Sequence, residues 1–398
     1  MGCDLLKGVT IVAASVAEAG PAATQILGLL GADIFHIERP TDAADPRYAG
    51  FIIKNSNKKD ITLNTKDEKG KEILWQLIEK ADVFFENFAP GAWDKMGFSY
   101  EEVRKRNPRI VYATLKGFSN TKSQWRRCVA YDPIGTNAGG HTFVSGYEDM
   151  DPMMAGINIG DSGTALNAAM EISLAILRQR VTGEGMYLEC PMQNAATCFS
   201  RAQFAEYWAT GSVRRSGNSY KGMKIAAPHG VYPAMGEDPS GNYVSISCTA
   251  EDSSDFFALC KAMGRDDLAA LPQYQTAESR FENRFALDAE IRKWTMRHTK
   301  FEVLDILAGQ YKVPCGAVMS QHDLYNDPYV STHILTDMAD KYLPEGFVRF
   351  PTVPIVVNGE RPEAFTCGKP GDGNEEVYMG ILGMSKEEFD ELKAKKII

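Results

Sequence analysis

No run of about eighteen consecutive apolar residues occurs in this 398-residue sequence, so no segment reads as a helix long enough to cross a bilayer. Cysteine is sparse and scattered. Its eight positions (3, 128, 190, 198, 248, 260, 315 and 367) form no C-x-x-C pair, and no two histidines stand four residues apart. Zinc and redox-motif readings therefore lack support. Such thiols fit burial in a reducing compartment, and the expectation is a cytoplasmic protein. Basic excess is also missing: 43 Lys and Arg against 52 Asp and Glu leave a net charge of −9. Nucleic acid or an anionic membrane would call for the opposite field, so neither is expected as a partner. The first strand-like run, Val9–Ser15, is not followed by G-x-G-x-x-G. Its loop reads Val16-Ala17-Glu18-Ala19-Gly20-Pro21, with one Gly and a Pro, which denies a dinucleotide pyrophosphate its usual close approach. Glu38, where a ribose-binding acid would stand, does not restore that reading alone. The first twenty residues have one Lys and no separate apolar core, so they read as a strand and not a signal peptide. Met1-Gly2-Cys3 resembles a lipidation start, but Leu6 stands where myristoylation wants Ser or Thr.

What is present is an ordinary globular composition, 44% apolar and 24% charged, enough for a full core. The first half alternates strand and helix signals. Strands are expected at Val9–Ser15, Asp33–Glu38, Asp60–Asn64, Ala81–Asn87, Ile110–Leu115 and Met186–Cys190. A helix from Gly20-Pro21 to about Leu30, and another near Lys69–Lys80, separate the early ones. This alternation implies a mostly parallel sheet with crossover helices. A long helix is predicted from near Asp161, with Leu166, Met170, Leu174, Leu177 and Val181 as its apolar stripe, and Thr182-Gly183-Glu184-Gly185 ends it with a Gly supplying the left-handed cap. After Gly211 the chain becomes rich in Gly, Ser and Pro. It then carries strands near Gly230–Ala234 and Tyr243–Cys248, a turn at Asp238–Gly241, and helices near Asp252–Met263 and Phe301–Gln310. A strand-like run at Phe350–Val357 and a helix at Lys386–Lys395 come last. The domain reading is 1–210 as a large α/β domain, 225–325 as a smaller α/β domain, and 326–398 as a segment returning to the first.

Gly160-Asp161-Ser162-Gly163 fits neither a trypsin-like serine loop nor the G-x-S-x-G elbow of α/β hydrolases. Asp161 is the more telling residue, because it opens the best helix. An N-cap is its plain role. The same free N–H groups and dipole also favour an ionised carboxylate aimed out of the scaffold, and such a carboxylate can attack a thioester.

Nine segments in order resemble the class III CoA-transferases over nearly the whole chain. They are AGPAATQILGLLGADIFHIERP (19–40), NKKDITLNTKDEKGKEIL (57–74), ENFAPGAWDKMGF (86–98), NPRIVYATLKGF (107–118), AYDP (130–133), GDSGTA (160–165), TGEGMYLEC (182–190), PHGVYP (228–233) and VPCGAV (313–318). The resemblance implies a Rossmann-like large domain that binds CoA, a small domain, and an interlocked dimer, homo- or heteromeric. It implies coenzyme A and acyl-CoA as substrates, a carboxylic acid as the second substrate, and no tightly bound cofactor or metal. Asp161 would be the covalent nucleophile. Arg39 would stack on adenine or meet a phosphate, and Lys95 would meet phosphate. Leu63, Asn64, Thr65 and Lys66, and Asn87, Phe88 and Ala89, would bind CoA from strand ends. Glu18, Ala19, Cys128, Val129, Ala130 and Tyr131 would line the pantetheine and thiol end. His229 and Gly230 would lie near the acid.

Two departures refine the expectation. Glu18 stands where formyl-CoA transferase has Gln. The glycine-rich loop of that enzyme is replaced by NSYKGMKIAAPH (218–229). A preferred acid larger than oxalate is therefore expected, with Lys221 and Lys224 meeting a second carboxylate and Tyr220, Met223 and Ile225 giving apolar contact. Alternatives are an acyl-CoA racemase or epimerase of the same fold, in which a His replaces Tyr131, and a non-catalytic CoA-binding subunit. A tyrosine, with an ordinary pKa of about 10, is a poor base near neutrality.

Overall fold

The computed structural model describes residues 4–40, 48–215, 217–236 and 241–398. The Met1-Gly2-Cys3 reading lies outside them, as does most of the Asp238–Gly241 turn. The chain forms two compact units, one of 1–139, 156–199 and 331–398, the other of 140–155 and 200–330.

In the first unit six strands form one all-parallel sheet: β1 (Thr10–Ala14), β2 (Asp33–Glu38), β3 (Lys59–Thr62), β4 (Val83–Glu86), β5 (Val111–Lys116) and β6 (Met186–Pro191). Their spatial order is β3-β2-β1-β4-β5-β6, the doubly wound Rossmann order. The order reverses between β1 and β4, where Ala14 pairs with Glu86 at the last rung. Alternation along each strand feeds two cores. Ile11, Ala13, Val83 and Phe85 face one side with α1 (Ala19–Leu29), while Val12, Ala14, Phe84 and Tyr112 face the other with α2 (Glu68–Lys80). The helix at Lys386–Ala394 adds Phe389 and Leu392 to that second core. The expected strand at Phe350–Val357 is shorter and earlier. Phe347–Pro351 pairs antiparallel with Leu335–Ala339, and beyond it only an isolated bridge joins Val357 to Glu360.

Two further helices of this unit pack on each other: the short α3 (Asp132–Ala138) and the 24-residue α4 (Ile159–Thr182), which ends on Gly183 at φ +73° as its cap. The buried face of α4 is opposite to the one its large apolar residues suggest. Leu166, Met170, Leu174, Leu177 and Val181 are exposed, Val181 by 78%. The buried face carries Gly160, Gly163, Ala165, Ala168, Ala169, Ile172, Ala175 and Ile176. Small residues let α4 lie close along α1, and closeness recovers the dispersion contacts that large side chains would otherwise give.

The second unit contains a three-stranded antiparallel sheet, β7 (His229–Pro233), β8 (Tyr243–Ser247) and β9 (Cys315–Val318), in the order β9-β8-β7. Tyr232, Val244 and Ile246 pack against Phe256, Leu259, Leu287 and Ile291. The last two come from α5 (Arg284–Thr295). The helix expected at Phe301–Gln310 is an α-helix over Lys300–Leu304 that widens to a π-helix over Asp305–Gln310.

Candidate active site

The carboxyl ends of β1, β4 and β5 open onto a cavity of 330 Å³ in the first unit. Its floor is the crevice at the strand-order reversal, the usual ligand position in such sheets. Asn87, just past β4, closes the crevice from one side: its Oδ1 accepts the Val16 N–H at 2.8 Å and its Nδ2 donates to the Val16 carbonyl at 2.8 Å. One amide thus ties the loops after β1 and β4 together. In the β1 loop, Ala17 holds φ +63°, a left-handed conformation that costs a non-glycine residue energy and clusters at functional sites.

Below Phe88 the support is a buried ion pair. Lys116 at the end of β5 donates to Glu86 and to the Phe88 carbonyl, and Glu86 accepts the Phe88 N–H at 3.0 Å. Both peptide groups of Phe88 are therefore held. Burial pushes Lys116 below, and Glu86 above, its ordinary range, against the attraction between them.

Asp161 enters the cavity from α4. It is not the cap: the helix begins at Ile159 with Asn158 before it, so Asp161 stands within the first turn. Its N–H donates to Asp132 Oδ1 at 3.0 Å, and the Gly160 N–H donates to Thr136 Oγ1 at 3.0 Å. The start of α4 is thereby seated on α3. A Cβ on Gly160 would come within 2.7 Å of the Asp132 carbonyl, and one on Gly163 within 2.4 Å of the Phe199 ring. The two glycines of GDSGTA are explained by these close approaches, which sequence spacing alone does not reveal. The Asp161 carboxyl is pushed up to about 6, first by burial, then by the carboxylates of Asp132 and Glu18, with Lys54 opposing. Desolvation and two like charges thus hold this carboxyl above the ordinary carboxylate range.

Of the residues expected to bind CoA or react, Ala19, Asn87, Phe88, Ala89, Cys128, Val129, Ala130, Tyr131 and Asp161 all line this cavity. Glu18 acts on Asp161 through charge. Lys95 lines an adjoining cavity of 850 Å³ that shares Ala89, Pro90, Lys116, Arg126 and Val129 with the first. Arg39 and Lys66 are exposed beyond the ends of β2 and β3. Asn64 and Thr65 are half-buried there, the Asn64 side chain accepting the Lys66 N–H at 3.2 Å. Leu63 is a core residue, 2% exposed, so its side chain is withdrawn from any ligand. His229 and Gly230 belong to β7 of the second unit, where His229 Nδ1 meets Ser247 Oγ at 2.7 Å. Lys221 pairs with Glu282 at 3.1 Å. The sequence did not single out Lys116, Arg126 and Met192, which line the cavity, or Lys54, the cation felt by Asp161. Lys116 carried one available signal, a charged residue closing an otherwise apolar strand.

Among the described residues, His36, Glu38 and Asp60 are grouped closely enough to ligate a metal. The His36 nitrogens are already engaged, with Asp60 at 2.8 Å and the Ser15 carbonyl at 3.1 Å. This cluster is a buried brace for the loop after β1.

The sequence and the fold match a known group of proteins. The model of "CoA-transferase family III" covers residues 6–375. The chain belongs to this family. It is 32% identical to the formyl-CoA:oxalate CoA-transferase of Streptomyces avermitilis, over 99% of both chains. It is 30% identical to the protein of that name from Rhodopseudomonas palustris, over 97% of this chain and 95% of that one. Among solved structures, a CaiB/BaiF family protein from Brucella suis superposes with a TM-score of 0.81 at 26% identity, covering 97% of this chain and all of that one. The expected α/β class and transferase chemistry stand with the family. No helix among the described residues of this CoA-transferase is long and apolar enough to cross a membrane.

Proposed function

We propose that the protein moves coenzyme A from an acyl-CoA to a free carboxylic acid, with Asp161 as the covalent relay. The carrying observation is a half-buried carboxylate in the first turn of α4, facing a cavity at the sheet's reversal point. The Asp161 carboxylate attacks the donor thioester carbonyl, forming a mixed anhydride and releasing CoA thiolate. The thiolate attacks the aspartyl carbonyl, freeing the donor acid and leaving an aspartyl-CoA thioester. The acceptor carboxylate attacks that thioester, giving a second anhydride and thiolate. Attack of the thiolate on the acceptor's acyl carbon yields the new acyl-CoA and restores Asp161. Splitting one acyl exchange into covalent steps lowers each barrier. Its raised pKa leaves Asp161 mostly ionised near neutrality, and its desolvation removes water that would otherwise shield the nucleophile. Arg39, Lys66 and Lys95 supply cations for the CoA phosphates, and Glu18, Ala19 and Cys128–Tyr131 line the thiol end. Incubation with acyl-CoA followed by hydroxylamine tests the relay. A hydroxamate on Asp161 is expected, and full turnover without any trapped aspartyl species would sink the mechanism.

The acid itself is a separate question. The names of the relatives speak for oxalate and formyl-CoA. The replaced glycine-rich loop at 218–229 speaks for a larger acid, since each extra buried methylene adds about 0.8 kcal/mol. We propose the larger acid. Specificity constants for oxalate, succinate and an arylsuccinate with one common donor decide it, and a wide margin for oxalate would end that proposal. The exposed apolar face of α4 further supports a dimer, to be checked by sedimentation.

A further inference from the structure

The second unit holds a cavity of its own, 530 Å³ in volume. Five cationic side chains and three carboxylates line it, in a chain whose net charge is −9. Arg284, Asp288 and Arg292 succeed one another at four-residue spacing along α5, so all three stand on one helix face. The Arg284 guanidinium lies 4.3 Å from the Phe281 ring centroid and 4.5 Å from that of Phe285, and its Nη1 donates to the Phe281 carbonyl at 3.0 Å. Those ring contacts and the carbonyl hold the fork without neutralising it. Among the described residues neither Arg284 nor Arg292 forms an ion pair. Among the described residues Arg215 is likewise held by carbonyls alone, those of Tyr147 and Glu148. Arg214 and Lys221 do have carboxylate partners, Glu148 and Glu282, each at 3.1 Å. Among the described residues three guanidinium groups of this cavity thus form no ion pair, though Arg292 and Arg284 act on Asp288 through charge.

Its lining also includes five aromatic side chains, Tyr147, Tyr220, Tyr232, Phe281 and Phe285. A guanidinium fork matches a carboxylate or phosphate in two parallel hydrogen bonds. Aromatic faces and stacked arginine planes receive a flat ring. Asp288, which accepts the Tyr232 hydroxyl at 2.6 Å, adds an acceptor between the two arginines for a hydroxyl or amino group. The volume lies in the range of small-molecule sites.

We propose that this cavity binds a small aromatic anion, a flat ring bearing a carboxylate or phosphate, with Arg284 and Arg292 on the anion and the tyrosine and phenylalanine rings on the flat face. An aryl carboxylic acid and a nucleotide are the two sources of that chemistry. Titration calorimetry on the full chain would use phenylacetate and adenosine monophosphate as probes, with acetate and inorganic phosphate as their ringless controls. One aromatic probe is expected to bind at least tenfold more tightly than its control, and the probe that does so identifies the source. Arg292→Ala and Arg284→Ala should each weaken it at least tenfold, and Arg292→Gln, which keeps the bulk of the side chain, should do the same. Tyr220 and Lys221 belong to the 218–229 segment proposed to select the acid, so the control is competition: the aromatic probe should not compete with the acceptor acid in the transfer assay, and competition would overturn a separate site. Equal binding of probes and controls would overturn the proposal. So would aromatic binding that Arg39→Ala removes and Arg292→Ala leaves intact.

Discussion

The backbone N–H of Asp161 donates to the side-chain carboxylate of Asp132 at 3.0 Å. The candidate nucleophile is thus positioned by the same group that, through its charge, makes it harder to ionise. Positioning and pKa are coupled through one contact between α3 and α4.

Removal of the Asp161 carboxylate should abolish transfer. Asp161→Ala and Asp161→Asn are expected to lower kcat by at least ~1,000-fold, the order seen when a covalent nucleophile is lost. A coupled assay for CoA exchange measures it.

The pH profile carries a definite sign. In the proposed relay the carboxylate form reacts, and its pKa is pushed up to about 6, so kcat/KM should fall below pH 6, with a limiting slope of one. Stability runs the other way. The folded pKa lies above the ordinary value of 3.8, so the folded state binds more protons between the two and stability declines as pH rises through that window. At pH 8 Asp161→Asn should therefore melt higher than wild type, by ~2 °C or more, an advantage that shrinks as pH falls below about 6 and is gone below pH 4. Thermal melts at both pH values check this.

Asp132→Asn should separate the two roles of that residue. The amide oxygen still accepts the Asp161 N–H, while the charge is gone. The acid limb of kcat/KM is expected to move to lower pH, with kcat held within about tenfold. Asp132→Ala, which loses the acceptor as well, should cost more in kcat. An acid limb that stays in place in Asp132→Asn would show that the charge of Asp132 does not reach the nucleophile.

Lys116→Met should be strongly destabilising. It leaves Glu86 buried without its partner and frees the Phe88 carbonyl, and breaking one side of a buried pair costs about 3–5 kcal/mol. The double variant Lys116→Met with Glu86→Gln should recover part of that loss. Urea denaturation of both tests the pairing.

Arg39→Ala and Lys95→Ala should weaken CoA binding about tenfold each and leave the order of chemical steps unchanged. Direct titration with CoA is the measurement. An unchanged affinity in both would place the nucleotide end elsewhere.

Local signals in the sequence determined the strand–helix alternation, and with it the parallel sheet, because a parallel pair needs a crossover between its strands. They also determined a glycine cap within Thr182-Gly183-Glu184-Gly185, which the fold places at Gly183, and the placing of Asp161 near a helix start. The ordered family segments marked the chemistry and most of the residues that meet in the cavity. Periodicity could not say which face of α4 is inward. Its large stripe from Leu166 to Val181 is as regular as a buried one. Only packing against α1 decided that the small residues go in, since what selects the face is how closely the partner helix approaches. Nor could spacing tell that Leu63 is withdrawn into the core while its neighbours Asn64 and Thr65 stay near the surface. The acidity of Asp161 was decided by tertiary structure too. Glu18, Lys54 and Asp132 come from three separate stretches of chain, and burial and charge act through space, where sequence distance has no meaning.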